Sequence, residues 1–197
     1  MKITLIRHGI TEGNAQRLYY GRTDLPLAGE GEAELIEMAK RCDYPKAERY
    51  FTSGLLRAEQ SFKALFGEIE HGILTDMQEI DLGDFEMRSF DELQTDPVFL
   101  EWIEGDNENN RCPNGESGNE ATERALHALQ ELVSDGRDAL VITHGGIIGG
   151  VMARLFPAPA GRYAYSSNNG DGFTICFENG LARSWSLAPT EKRNEHV

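Results

Sequence analysis

Short apolar runs alternate along this chain with longer stretches in which apolar residues return every three or four positions. Four runs read as buried strands: "KITLIRH" (2–8), "ERYFTS" (48–53), "ALVITH" (139–144) and "GFTICFE" (172–178). Helical spacing covers 29–42, 54–66 and about 117–134, and a fourth helix should follow His144 through "GGIIGGVMARLF". Strands alternating with helices predict an α/β fold, a three-layer α/β/α sandwich with a mostly parallel central sheet. Asn179-Gly180 lies between two strand-like runs, which predicts an antiparallel hairpin at the sheet edge. The ending "PTEKRNEHV" has no apolar pattern. Residues 1–190 are therefore expected to form one domain and 191–197 a flexible tail.

The stretch 81–116 fits the alternation least. It is rich in acid, Asn and Gly, with two short helical pieces around 89–94 and 97–104. A polar segment of this length inside a folded domain suggests a functional flap, so it is expected to lie over the site as a lid.

Composition narrows the function classes. The chain has 33 acidic residues against 19 basic and a net charge of −14, which argues against nucleic acid as a partner. Any pocket for an anion must then concentrate its cations at contact range, where they outweigh screened distant charge. Cys42, Cys112 and Cys176 are odd in number, widely spaced and form no CxxC pair, so they read as reduced thiols of a cytoplasmic protein. No apolar run is long enough for a signal peptide or a bilayer span.

Chemistry-bearing residues gather at predicted strand ends. Arg7 and His8 end the first strand, His144 ends the third ahead of Gly145 and Gly146, and Arg57 lies in the first turn after Ser53. Ligands in open α/β sheets bind outside the carboxyl ends of strands, so these residues converge if the strands are neighbours. Two arginines, two histidines and helix N-termini describe an anion site suited to phosphate. Each residue alone has a plainer reading. A histidine at a strand end can be structural, Arg57 can pair with Glu59 on the surface, and Tyr19 and Tyr20 can be packing residues.

The blocks "LIRHGITEGN" (5–14), "GRTDLPLAGEGEAE" (21–34), "FTSGLLRAEQS" (51–61), "EIDLGDFEMR" (79–88), "NGES" (114–117) and "VITHGG" (141–146) occur in this order. Together they resemble the histidine phosphatase superfamily, the phosphoglycerate mutase-like group. The resemblance implies that fold and a phosphoryl transfer without metal or cofactor. His8 would be the nucleophile and would form a phosphohistidine. Arg7, Arg57 and His144 would bind the non-bridging oxygens, and Asn14 would donate a further hydrogen bond. Glu79 would protonate the leaving oxygen and then activate water. Thr11, Gly21 and Gly145 are further candidates for substrate binding.

"GDFEMR" with "NGES" is similar to the α-ribazole phosphatase subgroup, although Met87 stands where the group commonly has glycine. The partner implied is a small phosphorylated metabolite, α-ribazole 5′-phosphate of cobamide assembly first, with no nucleic acid and no membrane. Self-association as a homodimer stays open. Competing readings are a broad-specificity phosphatase, a phosphoglycerate mutase and a non-catalytic phosphate-binding module. An acid at Glu79 has no use in the last of these.

Overall fold

A computed structural model of the protein describes residues 1–104 and 108–192. Strand β1 (Lys2–Arg7) leads through the short helix α1 (Glu12–Ala15) and strand β2 (Leu18–Tyr19) to helix α2 (Gly29–Arg41). Strands β3 (Cys42–Asp43) and β4 (Arg49–Thr52), helix α3 (Leu56–Phe66) and strand β5 (Gly72–Ile73) follow. The next segment holds β6 (Arg88–Ser89), α4 (Phe90–Leu93) and α5 (Pro97–Glu104). The chain then forms α6 (Gly118–Asp135), β7 (Ala139–Thr143), α7 (Gly145–Leu155), β8 (Gly172–Glu178), β9 (Leu181–Ala188) and β10 (Thr190–Glu191).

Six strands make one sheet in the order β5-β4-β7-β1-β8-β9. The pairs β4–β5, β4–β7 and β1–β7 are parallel, whereas β1–β8 and β8–β9 are antiparallel. The expected mostly parallel sheet with an antiparallel edge hairpin is thus present. The hairpin turns at Asn179 and Gly180, whose φ values of 52° and 77° are the left-handed geometry that a tight Asn-Gly turn supplies.

Alternation along the strands builds the layers. Ile3 and Leu5 of β1 and Val141 of β7 face a core shared with α6 and α7, including Ala125, Ile148 and Val151. Ile6, Leu140 and Ile142 face the other way, onto Leu35 and Met38 of α2 and Ala58 and Phe62 of α3. Helix α6 begins at Ser117, which caps the Glu120 amide while the Glu120 carboxylate returns to the Ser117 N–H. No helix among the described residues is long and apolar enough to cross a membrane.

The 81–116 segment carries a small core of its own. Phe85, Leu93, Phe99 and Cys112 are buried together, with Tyr19, Leu82 and Trp102 against them. Pairing of β2 with β6, Leu18 opposite Ser89 and Tyr19 opposite Arg88, ties the segment to the chain leaving α1.

The expectation for the tail needs correcting at its start. Thr190 and Glu191 pair with Asp43 and Cys42, and the Lys192 amide donates to the Arg41 carbonyl. The Lys192 ammonium also reaches the Ala39 and Lys40 carbonyls, where the free carbonyls at the end of α2 attract a cation. Residues 193–197 of the expected tail lie outside the described residues.

Candidate active site

Parallel register sets three loops side by side. Arg7 pairs with Thr143, and Thr52 with Ile142. The ladder then runs one residue past the strands: the His8 N–H donates to the Thr143 carbonyl at 3.0 Å, and the Ser53 N–H to the Ile142 carbonyl at 3.1 Å. His8, Ser53 and His144 therefore leave the carboxyl edge of the sheet as neighbours. The rings of His8 and His144 are 5.1 Å apart.

His8 is 3% exposed, and its backbone is held on both sides. Its carbonyl accepts from Asn169 at 2.7 Å, and the Gly9 N–H donates to the Ser61 hydroxyl at 2.9 Å. The Nδ1 of the ring lies 2.7 Å from the Gly9 carbonyl. A carbonyl only accepts, so Nδ1 carries the proton and Nε2 keeps its lone pair. Burial, then the charge of Arg57 and that of Arg7, push the pKa down to about 3 against the raising effect of the Gly9 bond. The imidazole is neutral at ordinary pH.

His144 and Arg57 form a second fixed unit, both fully buried. Arg57 Nε donates to His144 Nδ1 at 3.3 Å, so His144 carries its proton on Nε2 and donates to the Ser53 hydroxyl at 2.8 Å. Burial and the charge of Arg57 hold the His144 pKa well below the ordinary imidazole range. Arg57 also donates to the Thr23 carbonyl at 3.0 Å and the Gly21 carbonyl at 2.5 Å, and its guanidinium stands over the Tyr20 ring at 5.1 Å. One N–H on each terminal nitrogen is left for a ligand.

Arg7 donates to the Ser167 carbonyl at 2.7 Å and lies against Gly145, where a Cβ would come within 3.3 Å of its Cζ. Its Nε is buried without a partner among the described residues. Glu79 faces it from an irregular segment and accepts from the Gly146 amide at 3.0 Å and the Ile80 amide at 2.9 Å. The start of α7 thus fixes this carboxyl group.

Arg7, His8, Asn14, Arg57 and Glu79 line one cleft of about 170 Å³, with Leu18, Tyr19 and Leu82 on its walls. Asn14 turns its Oδ1 to the Thr11 N–H at 3.1 Å, which leaves its amide group for the cleft. Three of the sequence candidates have other occupations, His144 among them, since Arg57 and Ser53 engage both its ring nitrogens. The Thr11 hydroxyl is taken up by Asn14 and Tyr20, and the Gly21 N–H by Glu86 at 2.9 Å. Gly21 enters the site through its carbonyl, as the acceptor that orients Arg57.

Three residues were not singled out as site residues by their sequence context. Ser53 receives the His144 proton, Tyr20 supports Arg57, and Glu86 binds the Gly21, Arg22 and Thr23 amides at 2.9, 2.9 and 3.0 Å. Burial opposes ionisation of Glu86, but hydrogen bonds from the Thr23 hydroxyl and these amides outweigh it and hold its carboxyl below the usual range. The pairing of a half-buried acid with a turn at Gly21 has no local signature. Asp84 and Glu86 both flank Phe85 in "GDFEMR", so position in the sequence does not single out Glu86.

A model of the histidine phosphatase superfamily (branch 1) matches residues 3–180. The curated protein "Probable phosphoglycerate mutase GpmB" of Enterobacter sp. (strain 638) is 28% identical over 165 residues, covering 81% of this chain and 77% of that protein. The α-ribazole phosphatase structure from Shigella flexneri aligns with a TM-score of 0.84 at 24% identity, over 98% of this chain and 97% of that one. Bacillus stearothermophilus YhfR aligns at 0.80 and 26% identity, over 92% and 94% of the two chains.

Proposed function

We propose, from the premise that this chain belongs to the histidine phosphatase superfamily (branch 1), that it hydrolyses phosphomonoesters of small metabolites through a phosphohistidine on His8. The observation that carries the reading is the His8 ring: Nδ1 is tied to the Gly9 carbonyl, so a neutral Nε2 stands free between Arg7 and Arg57.

Nε2 attacks phosphorus in line, the P–N bond forms and the bond to the leaving oxygen breaks. Arg7 and the two free N–H groups of Arg57 offset charge on the non-bridging oxygens, with Asn14 as a neutral donor. The leaving oxygen takes the proton of Glu79. Water then attacks the phosphohistidine, Glu79 accepts its proton, the P–N bond breaks and phosphate departs. His144 acts in this scheme through Arg57 and Ser53, since both its ring nitrogens are engaged there. The scheme uses only groups of the chain, and a cation beside His8 would meet the repulsion of two arginines.

α-Ribazole 5′-phosphate leads the candidate substrates on the stretches "GDFEMR" and "NGES". The neighbour that bears that enzyme's name supports the fold alone. A mutase acting on phosphoglycerate is the second reading, favoured by the name of a relative 28% identical to this chain. A panel of phosphorylated metabolites including both compounds tests the choice. Release of inorganic phosphate is expected, whereas isomerisation of phosphoglycerate without release would favour the mutase. Enzyme quenched with denaturant at alkaline pH, where a P–N bond survives, should carry phosphate on His8, and His8→Ala should carry none.

A further inference from the structure

Glu79 stands on a segment with no sheet ladder. A single 3₁₀ turn, Thr75–Met77, lies between it and the end of β5. A carboxyl group that must meet a leaving oxygen within hydrogen-bond reach needs a rigid support, and here side chains supply it.

Arg124 of α6 is the centre of that support. One terminal nitrogen donates to the Asp76 and Gln78 carbonyls at 2.7 and 2.6 Å, and the other to the Glu79 carbonyl at 2.9 Å. The Met77 carbonyl between them accepts from the Thr143 hydroxyl at 2.6 Å. Four successive carbonyls up to and including Glu79 are thus held by side chains from α6 and β7.

The guanidinium is itself oriented by Glu116, through a two-point pair of 2.6 and 3.1 Å. Both side chains are mostly buried, at 16% and 13% exposure. Glu116 reaches the far side of Glu79 as well. Its carboxylate accepts from the Asp81 amide at 2.9 Å, and its own N–H donates to the Asp81 carbonyl at 2.9 Å. The pair therefore grips the chain two residues after Glu79 and three residues before it.

We propose that Arg124 and Glu116 are positioning residues for the proton transfer by Glu79, holding residues 76–81 so that its carboxyl group meets the leaving oxygen. The inference rests on the reading of Glu79 as the acid. Arginine is the side chain suited to this place, because three carbonyls and a carboxylate need a planar fork of five donors.

The test compares kcat/KM for a series of phosphomonoesters, from aryl phosphates with acidic phenols to alkyl phosphates, in the wild type, Glu79→Gln, Arg124→Met, Glu116→Gln and the double variant Glu79→Gln/Arg124→Met. Loss of positioning should leave the acidic phenols little changed and lower the alkyl phosphates by about a hundredfold. On the Glu79→Gln background Arg124→Met should cost little more, because the step it serves is already gone. A loss of equal size across leaving groups, or one that adds fully to that of Glu79→Gln, overturns the proposal. Should Arg124→Met fail to fold, Glu116→Gln, which keeps the volume and one acceptor, is judged by the same slope. A wild type without turnover, or Glu79→Gln without a leaving-group slope, would instead sink the assignment of Glu79 and this proposal with it.

Discussion

The imidazole of His8 turns back on the residue that follows it, with Nδ1 2.7 Å from the Gly9 carbonyl. That contact fixes the tautomer, while burial and the arginines fix the charge at neutral. A phosphate site built from cations thereby keeps one nucleophilic nitrogen uncharged.

The same depression makes a stability prediction. With the folded pKa near 3 against an ordinary 6.5, the unfolded chain binds the proton first as pH falls. The stabilisation is whole above 6.5 and drains away towards 3. Denaturant unfolding of the wild type should therefore lose stability relative to His8→Asn by roughly 2 kcal/mol between pH 7 and pH 5. Parallel pH curves for the two proteins would show that His8 is not held neutral by the fold.

Arg57→Lys should fold and yet lose activity. Arg57 divides five donors among His144, Thr23, Gly21 and the cleft, and its guanidinium stands over the Tyr20 ring. An ammonium cannot reproduce that division, and it leaves His144 Nδ1 without its donor. A fall in kcat of about a hundredfold or more is expected by analogy with the loss of an oxyanion donor. Steady-state kinetics on an aryl phosphate measures it, and retention of near-normal kcat would remove Arg57 from the transition state.

How far the site was legible depended on distance along the chain. Arg7, His8 and His144 announced themselves because they end or follow apolar strands, and a parallel sheet brings such ends together. Glu79 had no such marker. It was picked out by resemblance, since its place is set by the Gly146 amide and by side chains far away in sequence. Ser53, Tyr20 and Glu86 stayed hidden for the same reason. Strands β2, β3, β5, β6 and β10 are two residues each, too short for alternation to register, and β10 forms by pairing with β3, far away in sequence.

Gly21→Ala should damage the site from a distance. A Cβ there would lie 1.6 Å from the Ile80 carbonyl oxygen, so backbone must move on one side or the other. Either movement matters: Gly21 orients Arg57, and Ile80 follows Glu79. A destabilisation of about 1–3 kcal/mol with a clear loss of kcat is expected from denaturant melts and turnover. Gly29→Ala serves as the control, because nothing lies within 4 Å of its Cβ. Equal behaviour of the two variants would refute the close approach.

Met87→Gly should stabilise the protein. Met87 occupies the position where the resembled group commonly has glycine, and its φ is 60°, a left-handed conformation that costs a side chain about 1–2 kcal/mol. The geometry is enforced, because the Met87 N–H donates to the Tyr19 carbonyl at 2.6 Å while Glu86 beside it grips the Gly21 turn. Its side chain is 41% exposed, so little packing is lost on removal. Glycine relieves the strain but frees the unfolded chain, which returns roughly 0.5–1 kcal/mol. The net gain expected in chemical denaturation is about 0.5–1 kcal/mol, with kcat on an aryl phosphate unchanged. A loss of stability would mean that the methionine makes contacts worth more than its strain.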